Sequence, residues 1–283
     1  MTRPYRSALY IPASRPRALD KARGLGADAI LFDLEDAVLP AEKAEGRQTL
    51  AAELAKGGYG SRARIVRINA LDTEWGEADA VAMANAACDG VLLPKVDGPE
   101  DLDRLAALVP DKPLWAMMET PLGIIRAAAI AAHPRLAGIV MGTNDLAKDL
   151  GLRNRADRMP LMQALQISLM AARAYGRVAI DGVYNAFRHA DGLKLECAQG
   201  RDLGFDGKSL IHPDQLAIAN AAFAPLAEEV DLAKRQIAAF AEAEAAGQGV
   251  AVVDGKIVEN LHIVTARATL AKAAAIAALE AEE

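Results

Sequence analysis

The run Ala29-Ile30-Leu31-Phe32-Asp33-Leu34-Glu35-Asp36 decides the reading of this chain: four apolar residues, then three acids within four positions. An apolar run of this kind reads as a strand buried on both faces, which does not tolerate unpaired charge. The same construction recurs around Val66-Arg67-Ile68-Asn69, Leu93-Pro94-Lys95, Met118-Glu119-Thr120 and Met141-Gly142-Thr143-Asn144-Asp145. Acids and an arginine collected at one end of several buried strands face a common mouth, where metal, substrate and water satisfy them.

Outward from that stretch, short β-rich runs alternate with alanine-rich segments of helical length up to about residue 225. The expected strands are Ser7–Ile11, Ala29–Asp33, Arg64–Asn69, Gly90–Pro94, Trp115–Glu119, Gly138–Gly142, Val178–Val183 and Gly207–Leu210. Helical patterns lie between them at Arg17–Leu25, Ala41–Lys56, Pro99–Leu108, Leu161–Tyr175 and Asp214–Phe223, two of them opened by a proline in the first turn. Eight strands of this regularity predict an α/β fold, a closed (β/α)8 TIM barrel. An open doubly wound sheet is the competing arrangement, but no GxGxxG opens a helix.

After the barrel the pattern changes. Glu228–Ala246 reads as an amphipathic helix, Gly247-Gln248-Gly249 breaks it, Val250–Val258 reads as a hairpin around Asp254-Gly255, and Leu261–Glu283 returns to helix. The expected organisation is a catalytic barrel at 1–225 and a helix-hairpin-helix lid or oligomerisation segment at 226–283.

Composition limits the function. A net charge of −6 and 4% aromatic residues leave neither a basic stripe nor a stacking platform, so nucleic acid is not an expected partner. Cys88 and Cys197 lack CxxC or Cys/His spacing and read as reduced, buried thiols. Ala8–Ile11 is too short for a signal core, and no run reaches the roughly 20 apolar residues of a membrane span. A cytoplasmic, unprocessed protein without a membrane partner is expected.

Glu119 and Asp145 follow different strands, and two hard oxygen ligands at strand ends suit one Mg²⁺ that keeps water or substrate in its other positions. The competing readings are an ion-pair partner for Glu119 and a helix cap for Asp145. Gly142-Thr143-Asn144 is a glycine turn running into a helix start, whose N–H groups suit a substrate carboxylate beside the metal. Lys95 is a further candidate for substrate binding. By period-two alternation Ile65, Arg67 and Asn69 share one face, so an inward Arg67 meets an anion or a developing negative charge, or pairs with Glu35 or Asp36. At least one of Asp33, Glu35 and Asp36 is expected to be structural, because so many unpaired anions would raise one another's pKa.

Seven strings then carry a resemblance in order through nearly the whole chain: Arg6–Pro12, Asp33–Val38, Val66–Asn69, Leu93–Val96, Met118–Thr120, Gly142–Leu146 and Gly207–Pro213. Together they resemble the citrate lyase beta subunit and malyl-CoA lyase family, within the HpcH/HpaI aldolase superfamily. The resemblance implies Mg²⁺ held by Glu119 and Asp145, enolate charge met by Arg67, support from Glu35, and coenzyme A received at the mouth. It also implies a homo-oligomer, trimer or hexamer, in which a lid carboxylate from a neighbouring subunit completes each site. The family's Gly-Lys-Met-Ile-Asp string corresponds to Gly255-Lys256-Ile257-Val258-Glu259 here, so the lid acid becomes Glu259, with Asp254 as the nearby alternative.

The leading expectation is a Mg²⁺-dependent carbon–carbon lyase cleaving a malyl-, methylmalyl- or citramalyl-type CoA thioester. A (3S)-malyl-CoA-type thioesterase and a citrate lyase beta subunit are the alternatives. A non-catalytic CoA-binding protein and an aldolase on free 2-oxo acids stand further off.

Overall fold

The computed structural model describes residues 3–281. Two compact units divide the chain, Tyr5–Phe223 and the stretch from Ala224 onward. In the first, eight parallel strands close into a barrel: β1 (Ser7–Pro12), β2 (Ala29–Asp33), β3 (Ala63–Arg67), β4 (Gly90–Leu93), β5 (Leu114–Met118), β6 (Leu136–Met141), β7 (Val178–Asp181) and β8 (Gly207–Leu210). β1 closes the ring on β8, with Leu9 opposite Leu210.

Alternation sorts the strand residues into two apolar layers. One cluster, including Ala29, Leu31, Ile65, Leu92, Trp115, Met117, Val140 and Ile180, fills the barrel. The other, including Ile30, Phe32, Val66, Val91 and Ile139, belongs to the core shared with the helices. Two residues on from Leu31, Ile65, Met117 and Val140 come Asp33, Arg67, Glu119 and Gly142. The inward face is therefore apolar through the barrel and turns polar only at the carboxyl ends of the strands.

Most strands stop one or two residues earlier than expected. Asn69, Pro94, Glu119, Gly142 and Val183 stand just beyond the last paired residue, where the chain turns into the mouth loops. Helices lie near the expected ranges, for example at Lys43–Lys56, Pro99–Leu108 and Met162–Ala174.

Charge at the opposite, amino-terminal ends of the strands is balanced one to one. Arg6 grips Asp28 at 2.9–3.0 Å, and Arg64 grips Asp89 at 2.8–3.1 Å. The mouth has no such balance.

In the second unit the Ala227–Ala245 helix packs along the Asn260–Ala281 helix, and β9 (Ala251–Val253) pairs antiparallel with β10 (Lys256–Val258). Its core is built from Phe240, Ala243, Ala251, Val253, Val258 and Ile263. Of the expected final helix, Glu282 and Glu283 lie outside the described residues. The expectation that no segment reaches membrane-span length is corrected here: Asn260–Ala281 does so by length and composition, with a mean hydropathy of 1.2. Arg267 and Lys272 stand mid-helix, where a bilayer would disfavour them strongly. Cys88 and Cys197 are free and buried, as expected.

Trp115 seals the barrel interior between two glycines. A Cβ at Gly138 would fall 2.4 Å from Trp115 Cζ3, and one at Gly90 3.0 Å from Cδ1. Gly138→Ala is expected to lower unfolding stability by on the order of 1–3 kcal/mol. Denaturant midpoints check this, and adding Trp115→Leu is expected to recover part of the loss; strict additivity of the two changes would show that the clash is not the cause.

Candidate active site

Asp33 and Arg67 are register partners at the ends of β2 and β3. Arg67 Nε and Nη2 donate to the two Asp33 oxygens at 2.8 and 2.7 Å, a bidentate pair in which both residues are buried. Asp33 also accepts from the Glu35 and Ala37 amides, so it fixes the turn that carries Glu35 and Asp36. Arg67 Nη1 meets Glu35 Oε2 at 2.8 Å and Asp36 Oδ2 at 3.1 Å, and the Tyr10 ring lies 4.9 Å from the guanidinium carbon. The expected pairing of Arg67 with Glu35 and Asp36 is present, and Asp33 is the structural acid of the trio.

Glu119 is 1% exposed. Its Oε1 accepts from the Lys95 amide at 2.8 Å. A Cβ at Gly142 would fall 2.3 Å from its Oε2, so only glycine leaves that oxygen its space. Lys95 Nζ lies 3.5 Å from Glu35 and 3.9 Å from both Glu119 and Asp145. Burial would lower the Lys95 pKa, but Glu35, Glu119 and Asp145 outweigh it and raise it. Burial also raises Glu119, against the pull of Lys95.

Arg67, Glu119, Asp145, Gly142, Thr143 and Asn144 all line one cavity of about 330 Å³, together with Tyr10. Glu35 and Lys95 do not line it: Glu35 contacts the lining residue Arg67, and Lys95 Nζ lies 3.9 Å from the lining acids Glu119 and Asp145. An adjoining cavity of about 440 Å³ shares Thr143 and Asn144, but the acids around it are spent on structure: Asp157 on Arg155, Asp181 on Arg158 and Lys208, Glu196 on Lys208. The chemistry therefore belongs to the smaller cavity. Around that mouth, five carboxylates (Asp33, Glu35, Asp36, Glu119, Asp145) share ion-pair contacts with two cations (Arg67, Lys95), a formal excess of three negative charges within this set.

A second layer has no signal in the sequence. Buried Lys43 donates to the Leu34 and Glu35 carbonyls at 3.1 and 2.8 Å and to Asn69 Oδ1 at 2.6 Å, and Asn69 is tied to Asp79. Asn69 thus braces the acid loop and does not line the cavity. Tyr10 was likewise hidden, since its partner Arg67 is 57 residues away and comes near it through the pairing of β1 with β2 and of β2 with β3.

Glu259 belongs to the second unit. Its amide donates to His262 Nδ1 at 3.0 Å. Asp254 is held by Arg235 Nη1 at 2.7 and 2.9 Å in a turn where Asp254 and Gly255 both have positive φ. Asp254 is a turn residue with a committed carboxylate.

A closed parallel barrel with a catalytic-type acid mouth at its carboxyl ends defines a (β/α)8 enzyme scaffold. The chain belongs to the HpcH/HpaI aldolase/citrate lyase family, whose model matches residues 6–213. The (3S)-malyl-CoA thioesterases of Cereibacter sphaeroides strains are 62–65% identical over 278 residues, 98% of each chain. The citrate lyase subunit beta of Escherichia coli K12 is 37% identical over 284 residues, 96% of this chain and 94% of that one. Among solved structures, the Mycobacterium tuberculosis protein CitE in complex with magnesium, acetoacetate and coenzyme A matches with a TM-score of 0.79 at 31% identity, covering 95% of this chain and 97% of that one. These relatives correct the leading expectation. The full-length relatives at 62–65% identity are named thioesterases, and the carbon–carbon lyase reading falls with them.

Glu35 gives the site a pH signature. Burial, opposed by Arg67 and reinforced by Asp36 and Glu119, raises its pKa from 4.5 to about 7. Its Oε2 is buried without a hydrogen bond despite the contact with Arg67. Between those two pH values the folded protein keeps a proton that the unfolded chain has released. The associated stability is fully present below pH 4.5 and lost as pH rises through about 7. In metal-free protein, Glu35→Gln is expected to abolish this loss, a relative gain on the order of 3 kcal/mol between about pH 5 and about pH 8. Urea midpoints at both pH values check it, and identical pH dependence in the two proteins would refute it.

Proposed function

We propose that this chain hydrolyses a small 3-hydroxy-dicarboxylyl-CoA thioester of the (3S)-malyl-CoA type. The observation that carries the reading is the 62–65% identity over 98% of the chain to the (3S)-malyl-CoA thioesterases.

The donor set fits Mg²⁺. Glu119 and Asp145 offer hard oxygens, the surrounding charge is three short of neutrality, and Gly142 keeps the space beside Glu119 Oε2 open. Mg²⁺ is commonly held by one or two carboxylates and keeps several waters. When bound, Mg²⁺ supplies Lewis acidity to substrate oxygens.

The chain's own groups do the rest. Arg67 is clamped by Asp33 in one orientation and offers a fixed positive charge to the oxygen that becomes anionic as water adds to the thioester carbonyl. Glu35 positions Arg67 and Lys95 from behind. The Gly142-Thr143-Asn144 segment and Lys95 receive the substrate carboxylate. Glu259 takes the proton of the attacking water as the carbon–oxygen bond forms and returns it to the sulfur as the carbon–sulfur bond breaks, so that the thiol leaves and the carboxylate is regenerated.

Glu259 is proposed to act from a neighbouring subunit of a homo-oligomer. Val252 and Ile257, opposite one another in the hairpin, and Leu261 and Val264 on the following helix are all more than 60% exposed. They flank Glu259 with apolar surface of the kind that marks a protein contact.

Two experiments test this. With (3S)-malyl-CoA and Mg²⁺, free thiol and malate are expected in equal amounts; glyoxylate with acetyl-CoA, or no turnover, would overturn the hydrolase reading. Mixing inactive Glu259→Ala and Asp145→Asn chains is expected to restore part of the activity through hybrid sites. No recovery despite demonstrated subunit exchange would rule out sharing.

A further inference from the structure

Lys95 stands where three carboxylates from three different strand ends converge. Its Nζ is 3.5 Å from Glu35 Oε1, 3.9 Å from Glu119 Oε1 and 3.9 Å from Asp145 Oδ1. None of these is a hydrogen-bond distance, so the ammonium serves the three acids as a central point charge.

The backbone is bent to put it there. Lys95 has φ +52°, a left-handed conformation uncommon for a long side chain, and its amide is anchored on Glu119 Oε1 at 2.8 Å. The same carboxylate thus holds the residue by its main chain and faces its ammonium. With 47% of the side chain exposed, the stem has an open side toward solvent into which it can swing. The other cation nearby has no such freedom, since Arg67 is locked to Asp33.

We propose that Lys95 is a built-in competitor of the divalent cation. Its ammonium offsets part of the charge of Glu35, Glu119 and Asp145 in the metal-free protein, and ammonium and metal exclude one another from that position. The inference rests on the reading of Glu119 and Asp145 as metal ligands. A dication on those two carboxylates would stand within a few ångströms of the ammonium, where like charges in a partly buried site repel by far more than thermal energy. The lysine therefore weakens metal affinity while it keeps the empty acid cluster from repelling itself apart.

Mn²⁺ titration followed by electron paramagnetic resonance tests the competition without any turnover. Lys95→Met is expected to bind Mn²⁺ about tenfold more tightly than the parent protein, and Lys95→Arg within about twofold of it. In Lys95→Ala, added ethylammonium is expected to weaken Mn²⁺ binding again, an effect absent from the parent; this arm stands even if Lys95→Met does not fold. Unchanged or weaker Mn²⁺ binding in the neutral variants, with Glu119→Gln abolishing it, would overturn the competition and leave the metal site intact. Parent-level binding in both Glu119→Gln and Asp145→Asn would overturn the metal reading itself, and the competition with it.

Discussion

The bidentate pair between Asp33 and Arg67 is the constraint on which the mouth depends. Neighbouring parallel strands bring the two residues into register, and both are buried. Removing one partner of such a pair costs about 3–5 kcal/mol, because the other is left buried and unpaired. That cost fixes the Arg67 fork, and through the Glu35 and Ala37 amides it also fixes the acid loop. Asp33 takes two of the Arg67 nitrogens and the third is shared by Glu35 and Asp36, so among the described residues Glu119 and Asp145 have only the half-exposed Lys95 as a cationic neighbour within 4 Å.

The two ends of the barrel illustrate the difference between charge that stabilises and charge that works. At the amino-terminal ends, Arg6 with Asp28 and Arg64 with Asp89 are matched pairs that complete the scaffold. At the carboxyl ends the acids outnumber the cations, and burial raises the pKa of Glu35 and Glu119. An imbalance of this kind costs stability, and it is retained where a bound cation restores the balance.

The barrel was legible because its strands are buried on both faces and so announce themselves as apolar runs, while the polar residues that end them mark the mouth. Arg67, Glu119, Asp145 and Gly142–Asn144 were found in this way, and they do line one cavity. Tyr10 against Arg67 and Lys43 bridging to Asn69 were not, because each contact joins segments distant in sequence that only the packing of neighbouring βα units brings together. The bent backbone of Lys95 was equally hidden, since a lysine carries no turn signal. The chemical outcome was misread for a different reason. A site that polarises a thioester carbonyl beside an arginine serves both bond cleavages, and residue types alone do not say whether water or a carbon–carbon bond is the partner.

The central claim is that Glu119 and Asp145 together hold the cation that the excess negative charge requires. An anomalous difference map from crystals grown with Mn²⁺ tests it most directly. The account predicts one strong peak per chain, about 2.1 Å from a Glu119 oxygen and an Asp145 oxygen, with its remaining positions filled by water or substrate. A peak elsewhere, or none at saturating Mn²⁺, would contradict it.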